Sequence, residues 1–174
     1  SVANLISSGL FGDGAAAVVV AGSDCRPAES PGPEIVATRS SFYRDTERVM
    51  GWEISERGFE VVLSAEVPQM VRRHLRADVD AFLAEHSLER ADVASWVAHP
   101  GGPKVLEAME EALEIERQAL AVTWKSLREV GNLSSTSVLL VLEETIRERP
   151  EPGTWGLLLA MGPGFCSELV LLRW

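Results

Sequence analysis

The sequence predicts an α/β layered domain with a mixed sheet, and three observations carry that expectation. A long mid-chain segment repeats apolar residues at helical spacing. Short valine- and leucine-rich runs bounded by glycine and proline lie on either side of it. The last two runs are joined by Gly162-Pro163-Gly164, which predicts an antiparallel hairpin. The order of strands, helix, strand, two helices and paired strands suits a layered fold. With 174 residues, 46% of them hydrophobic, the chain can bury one sizeable core, so a single domain is expected.

Taken in order, Gly12-Asp13-Gly14 reads as a turn, and Ala15 to Ala21, with its valine run, as a buried strand. Arg26 to Pro33 reads as a surface loop. Glu34 to Phe42 predicts a strand. Trp52 to Ile54 and Phe59 to Leu63 predict a short hairpin around Arg57-Gly58. The clearest helix runs from Glu66 to His86, where Val67, Met70, Val71, Leu75, Val79, Phe82 and Leu83 form one stripe. Pro68 is tolerated there because it falls in the first turn. Ala94 to Ala98 is a short strand, and Pro103 to Ile115 a second helix.

A third helix is expected from Ser134, capped by its hydroxyl. The run Val138-Leu139-Leu140-Val141-Leu142 leaves that helix no polar face, so it is expected between layers. Thr154 to Met161 and Ser167 to Trp174 are the two strands of the final hairpin.

Composition excludes several roles. A mean hydropathy of +0.06 is high beside 24% charged residues. It points to strands buried on both faces, or to an apolar surface made to meet a partner. A net charge of −10 argues against nucleic acid or an anionic membrane as partner. It also disfavours a phosphate-rich ligand held by this chain alone. Cys25 and Cys166 make no disulfide framework, and neither has a neighbouring base or helix N-terminus to activate it. No run reaches membrane-spanning length and the start lacks a signal peptide's basic region, so the cytoplasm is the expected compartment. Neither a metal-ligand spacing nor a phosphate-binding glycine loop is present.

The chemistry concentrates in His99-Pro100-Gly101-Gly102-Pro103 and Gly131-Asn132-Leu133-Ser134-Ser135. A lone histidine is more often structural, but His99 ends a strand, where ligands of α/β folds collect. Gly101 and Gly102 permit close backbone approach, and Pro103 suits the first turn of a helix. Asn132 alone reads equally as a turn residue. Together, His99 and Asn132 can each donate an N–H to one carbonyl oxygen, an oxyanion site for thioester chemistry. His74 and His86 read as packing or capping residues, and Asp13 as a turn former.

Four segments together resemble the C-terminal half of a type III polyketide synthase, of the chalcone and stilbene synthase family and its bacterial branch. They are Leu10-Phe11-Gly12-Asp13-Gly14-Ala15-Ala16-Ala17, Ala98-His99-Pro100-Gly101-Gly102-Pro103, Gly131-Asn132-Leu133-Ser134-Ser135 and Met161-Gly162-Pro163-Gly164. The resemblance implies a thiolase-like half with a mixed sheet between helices, and a cytoplasmic homodimeric acyltransferase. Residues 1–174 would be the C-terminal domain, with the nucleophile-bearing N-terminal domain absent. It implies decarboxylative Claisen condensation of malonyl-CoA onto an acyl-CoA starter, followed by cyclisation. CoA thioesters would be substrates, with no further cofactor and no metal.

By the same resemblance, His99 and Asn132 are catalytic: they assist malonyl-CoA decarboxylation and stabilise the enolate, and His99 pairs with a cysteine thiolate of the missing half. Phe11 matches the gatekeeper between CoA tunnel and cavity. Ser7, Gly51 and Ser134 match pocket-lining positions. Gly162, Pro163 and Gly164 match the loop that shapes the cyclisation cavity, and Lys104 lies where the pantetheine arm passes. Ala160-Met161 before Gly162, Ser7, and an extra residue near Gly51 to Gly58 depart from the plant pattern. The Val19 to Leu63 region and the terminal Leu-Leu-Arg-Trp are closer to bacterial members, several of which extend aliphatic acyl-CoA. The fragment alone is expected to be inactive for lack of the nucleophile. Two alternatives stay open: another thiolase-fold condensing enzyme of the ketoacyl synthase type, and a non-catalytic thiolase-like pairing subunit.

Overall fold

A computed structural model describes residues 8–25, 32–56 and 58–174. Ser7, Arg57 and most of the expected loop from Arg26 lie outside the described residues. The elements are β1 (Glu34–Phe42), β2 (Met50–Ser55), β3 (Gly58–Leu63), α1 (Val67–Ala84), β4 (Val93–Ala98), α2 (Pro103–Leu113), α3 (Ala121–Val130), α4 (Ser135–Arg147), β5 (Trp155–Gly162) and β6 (Cys166–Arg173).

Four strands form one sheet in the order β1-β6-β5-β4, while β2 and β3 make a separate two-stranded ribbon. The β1–β6 and β6–β5 pairs are antiparallel and β5–β4 is parallel, so the sheet is mixed, as expected. β5 alternates its side chains between two cores. Leu157, Leu159 and Met161 join the core under α1 and α2, whereas Leu158 packs with Val97 against α4. The result is a sheet covered by helices on both faces.

α1 forms where the apolar stripe predicted it, with all seven stripe residues buried. Its outer side is joined to α2 by ion pairs from Arg72 to Glu111 and from Arg76 to Glu114.

Four expectations are corrected. Ala15–Ala21 is not a strand: among the described residues it joins no ladder, and Val19 is 96% exposed. An apolar β-former becomes a strand only where a sheet edge accepts its backbone, and neither β1 nor β4 takes this segment. α3 was not foreseen. Only Thr123 of its ten residues is buried, while Trp124 and Leu127 pack half-buried against the core. α4 is not enclosed on all sides: Val138 and Val141 are buried, while Leu139, Leu140 and Leu142 are half-buried. Finally, the Ser134 hydroxyl does not cap α4, because the residue adopts φ 57°, ψ −136°. Asn132 Oδ1 takes the Ser134 N–H at 2.9 Å, and Ser137 Oγ takes the Leu133 N–H at 2.6 Å.

Leu75 is fully enclosed on the inner side of α1. Leu75→Ala should therefore destabilise the fold by about 2–5 kcal/mol. Urea unfolding checks this as a lower midpoint with an unchanged slope.

Candidate active site

His99 follows the last residue of β4. Its backbone N–H donates to Leu159 O on β5 at 2.9 Å, extending the parallel ladder by one bond. Behind it, the buried Thr123 of α3 donates its hydroxyl to Ala98 O at 3.3 Å. The chain then turns sharply, with Gly101 N donating to His99 O at 2.9 Å. Gly102 follows at φ +143°, a conformation that a side chain would strain. Its carbonyl accepts the first bonds of α2 from Val105 and Leu106. Lys104 is exposed in the opening turn of that helix.

Asn132 is buried and directly joined to the histidine loop, since its Nδ2 donates to Gly101 O at 3.2 Å. With Oδ1 on Ser134 N, the amide orientation is fixed from both ends, and the second Nδ2 hydrogen remains to be donated. The backbone around Asn132 is clamped as well. Asn132 N donates to Leu10 O at 3.0 Å and Gly12 N donates to Asn132 O at 2.9 Å, a parallel bridge that sets Phe11 beside Asn132. His99, Asn132, Phe11 and the exposed Ser134 thus belong to one hydrogen-bonded group.

A second group forms further along β5. Gly162, Pro163 and Gly164 make the turn into β6, and Gly164 N donates to Met50 O, next to Gly51, at 2.9 Å. Leu159 faces the end of β4 in the ladder and Gly162 lies three residues beyond it, about 10 Å at the rise of a strand. Both groups therefore sit at the same edge of the sheet, the carboxyl end of β4 and β5. The sequence reading named neither Thr123 nor Ser137. Their signal is a burial that only the packing creates.

Burial pulls the His99 pKa from its ordinary 6.5 down to about 4, so its imidazole is neutral at pH 7. The two thiols differ from a nucleophile's setting. Burial, followed by the nearby Glu168, raises the Cys166 thiol, and Cys25 is exposed. His74 stacks on Tyr43 with ring centroids 4.3 Å apart, and His86 packs edge-on to Phe82 at 5.4 Å. Among the described residues no helix is long and apolar enough to cross a membrane.

A mixed sheet between helix layers, with histidine and asparagine joined at one strand end, is the architecture of a thiolase-like half. Residues 34–174 match the family described as chalcone and stilbene synthases, C-terminal domain. The chain belongs to the chalcone and stilbene synthase family.

Over 175 residues it is 55% identical to the 1,3,6,8-tetrahydroxynaphthalene synthase of Streptomyces peucetius subsp. caesius, covering 100% of this chain and 46% of that protein. It is 31% identical to type III polyketide synthase 21 of Oryza sativa subsp. japonica, covering 98% of this chain and 44% of the relative. The crystal structure of 1,3,6,8-tetrahydroxynaphthalene synthase from Streptomyces coelicolor A3(2) aligns with a TM-score of 0.90 at 31% identity, over 100% of this chain and 49% of that one. That of PKS-I from the brown alga Ectocarpus siliculosus aligns at 0.77 and 30% identity, over 86% and 42%. The chain spans about half the length of the relatives it matches.

Two outcomes follow from this geometry. The His99 value in the fold lies below 6.5, so the unfolded chain takes up that proton first. Its contribution to stability is complete above pH 6.5, falls as the pH drops towards 4, and levels off below. The loss amounts to about 3 kcal/mol. Urea midpoints measured across that window should fall for the wild type and be flatter for His99→Gln. At Ser134, the positive φ is one that glycine adopts without strain. Ser134→Gly should raise stability by about 1 kcal/mol, seen as a higher melting temperature.

Proposed function

We propose that this chain is the C-terminal half of a type III polyketide synthase whose N-terminal half supplies a nucleophilic cysteine. The observation that carries the reading is the bond from Asn132 Nδ2 to Gly101 O. It holds a buried amide against the loop that follows His99, where one N–H from each side chain would meet a common oxygen.

The reaction follows from that pair. A starter acyl group is carried as a thioester on the cysteine of the other half. Malonyl-CoA binds with its thioester oxygen between His99 and Asn132. The bond to the carboxylate breaks, CO2 leaves, and the electron pair moves through the α-carbon onto that oxygen. Two preorganised donors in a site of low dielectric hold the developing enolate. The α-carbon then attacks the cysteine thioester, a carbon–carbon bond forms, and the thiolate leaves. A neutral imidazole suits the donor role, because it supplies an N–H without a buried charge. Charge pairing with a thiolate would require that thiolate's own field to lift the His99 pKa.

Phe11, beside Asn132, would guard the entry to the cavity, with Ser134 on its wall. Gly51 and Gly162, Pro163 and Gly164 would bound the far side, and Lys104 would meet the CoA arm. Ser7 would complete the pocket from outside the described residues. Homodimerisation and a cytoplasmic setting accompany the reading. Exposed apolar side chains at Val19 and on the ribbon at Trp52, Ile54 and Phe59 support a second half packing on this one. The product named for the 55% identical relative, 1,3,6,8-tetrahydroxynaphthalene, carries no alkyl substituent, which favours an aromatic product here over one that retains an aliphatic starter chain.

The test is product analysis of the full-length protein with malonyl-CoA, alone and beside acyl-CoA starters. Cyclised polyketide is the expected product. His99→Ala and Asn132→Ala should each lower its rate of formation by about 10²–10³-fold, with the fold intact. A folded wild type that condenses nothing would favour the non-catalytic pairing subunit instead.

A further inference from the structure

The turn between β5 and β6 is held from outside its own hairpin, by the segment that joins β1 to β2. Tyr43 N donates to Phe165 O at 3.0 Å, and Gly164 N donates to Met50 O at 2.9 Å. Thr46 lies between these two bonds and is only 8% exposed. Its hydroxyl donates to Tyr43 O at 2.6 Å and accepts the Phe165 N–H at 3.0 Å. Gly164 O, at 3.5 Å, is the hydroxyl's more distant acceptor. The threonine therefore joins both sides of the junction through one side-chain oxygen.

The junction has little slack. Gly164 adopts φ +108°, and a Cβ there would lie 3.4 Å from the Phe42 ring. The Phe165 side chain is fully buried. On the Gly51 side, Val49 N donates to Thr46 O at 2.9 Å, and a Cβ at Gly51 would lie 3.1 Å from Glu47 O. The outer end is anchored to α1. The Tyr43 hydroxyl donates to Asp78, which also accepts from Ser167 Oγ at 2.9 Å. Burial, followed by the bond to Asp78, raises the Tyr43 phenol above its ordinary value and keeps it a donor.

Gly51 and Gly162 to Gly164, the proposed far wall of the cavity, lie on the two sides of this junction. We infer that Thr46 is a positioning residue for chain length: its two hydrogen bonds hold the cavity loop and the start of β2 at one separation, which sets the room for the growing polyketide. This rests on the synthase reading above. Among the described residues the Thr46 hydroxyl bonds to backbone alone, so it acts through the loop. Valine has nearly the same shape but neither bonding function, and would leave the Phe165 N–H and the Tyr43 carbonyl unpaired in a buried setting.

The experiment compares full-length wild type, Thr46→Val and Thr46→Ser with malonyl-CoA, reading both CO2 release and the distribution of product lengths. In Thr46→Val the ratio of full-length cyclised product to shorter released pyrones should shift by about tenfold. CO2 release should stay within about twofold of wild type, because His99 and Asn132 are untouched. Thr46→Ser keeps the hydroxyl and should restore the wild-type ratio, which a change in overall stability would not explain. Should Thr46→Val fail to fold, Tyr43→Phe loosens the same junction at Asp78 and should shift the ratio in the same direction. A folded variant with an unchanged ratio, or a shift that Thr46→Ser does not reverse, overturns the inference alone. A wild type that makes no polyketide overturns the synthase reading and this inference with it.

Discussion

One backbone bond, from His99 N to Leu159 O, anchors the functional edge of the molecule. It continues the parallel β4–β5 ladder past the last residue of β4 and joins the histidine to the central strand β5. β5 cannot move independently, because its side chains enter the cores on both faces of the sheet. Shifting a strand by one residue would exchange its two faces. Burial on both sides therefore determines the register, and the register determines where His99 stands.

Every other part of the site is measured from that strand. Towards the helices, Asn132 reaches Gly101 and so ties the start of α4 to the loop after β4. Along β5, Gly162 to Gly164 turn into β6 and are held by Tyr43, Thr46 and Met50. The two hydrogen-bonded groups share one strand. Supported in this way, the proposed catalytic pair and cavity wall would keep their separation without a ligand, which is the condition for electrostatic preorganisation.

The electrostatics agree with this division of work. The chain is acidic overall, and burial rather than a charged partner controls His99, which stays neutral. Exposed apolar side chains include Phe11 and Phe42 beside the two groups, the segment around Val19 and the β2–β3 ribbon. The chain is about half as long as its relatives, and the apolar side chains exposed on these segments accord with the proposed packing of a second half.

The sequence by itself determined the elements with strong periodicity and the two motifs that carry the candidate site. The α1 stripe, the strand before His99 and the Gly162-Pro163-Gly164 turn are local patterns, set by residue type and spacing. Tertiary structure alone decided the rest. Ala15–Ala21 has the composition of a buried strand, but a strand also needs a partner edge, and that depends on distant chain. Thr123, Ser137 and Thr46 are unremarkable in sequence, since a hydroxyl acquires a role only when folding buries it beside an unpaired backbone group. The loss of the Ser134 cap has the same origin. Ser134 stands at a positive φ with its own N–H held by Asn132 Oδ1, so its hydroxyl makes no cap bond, and the long-range bonds from Asn132 to Leu10 O and Gly101 O hold that arrangement. Periodicity is a property of neighbours along the chain, whereas hydrogen-bond competition in a buried site is a property of neighbours in space.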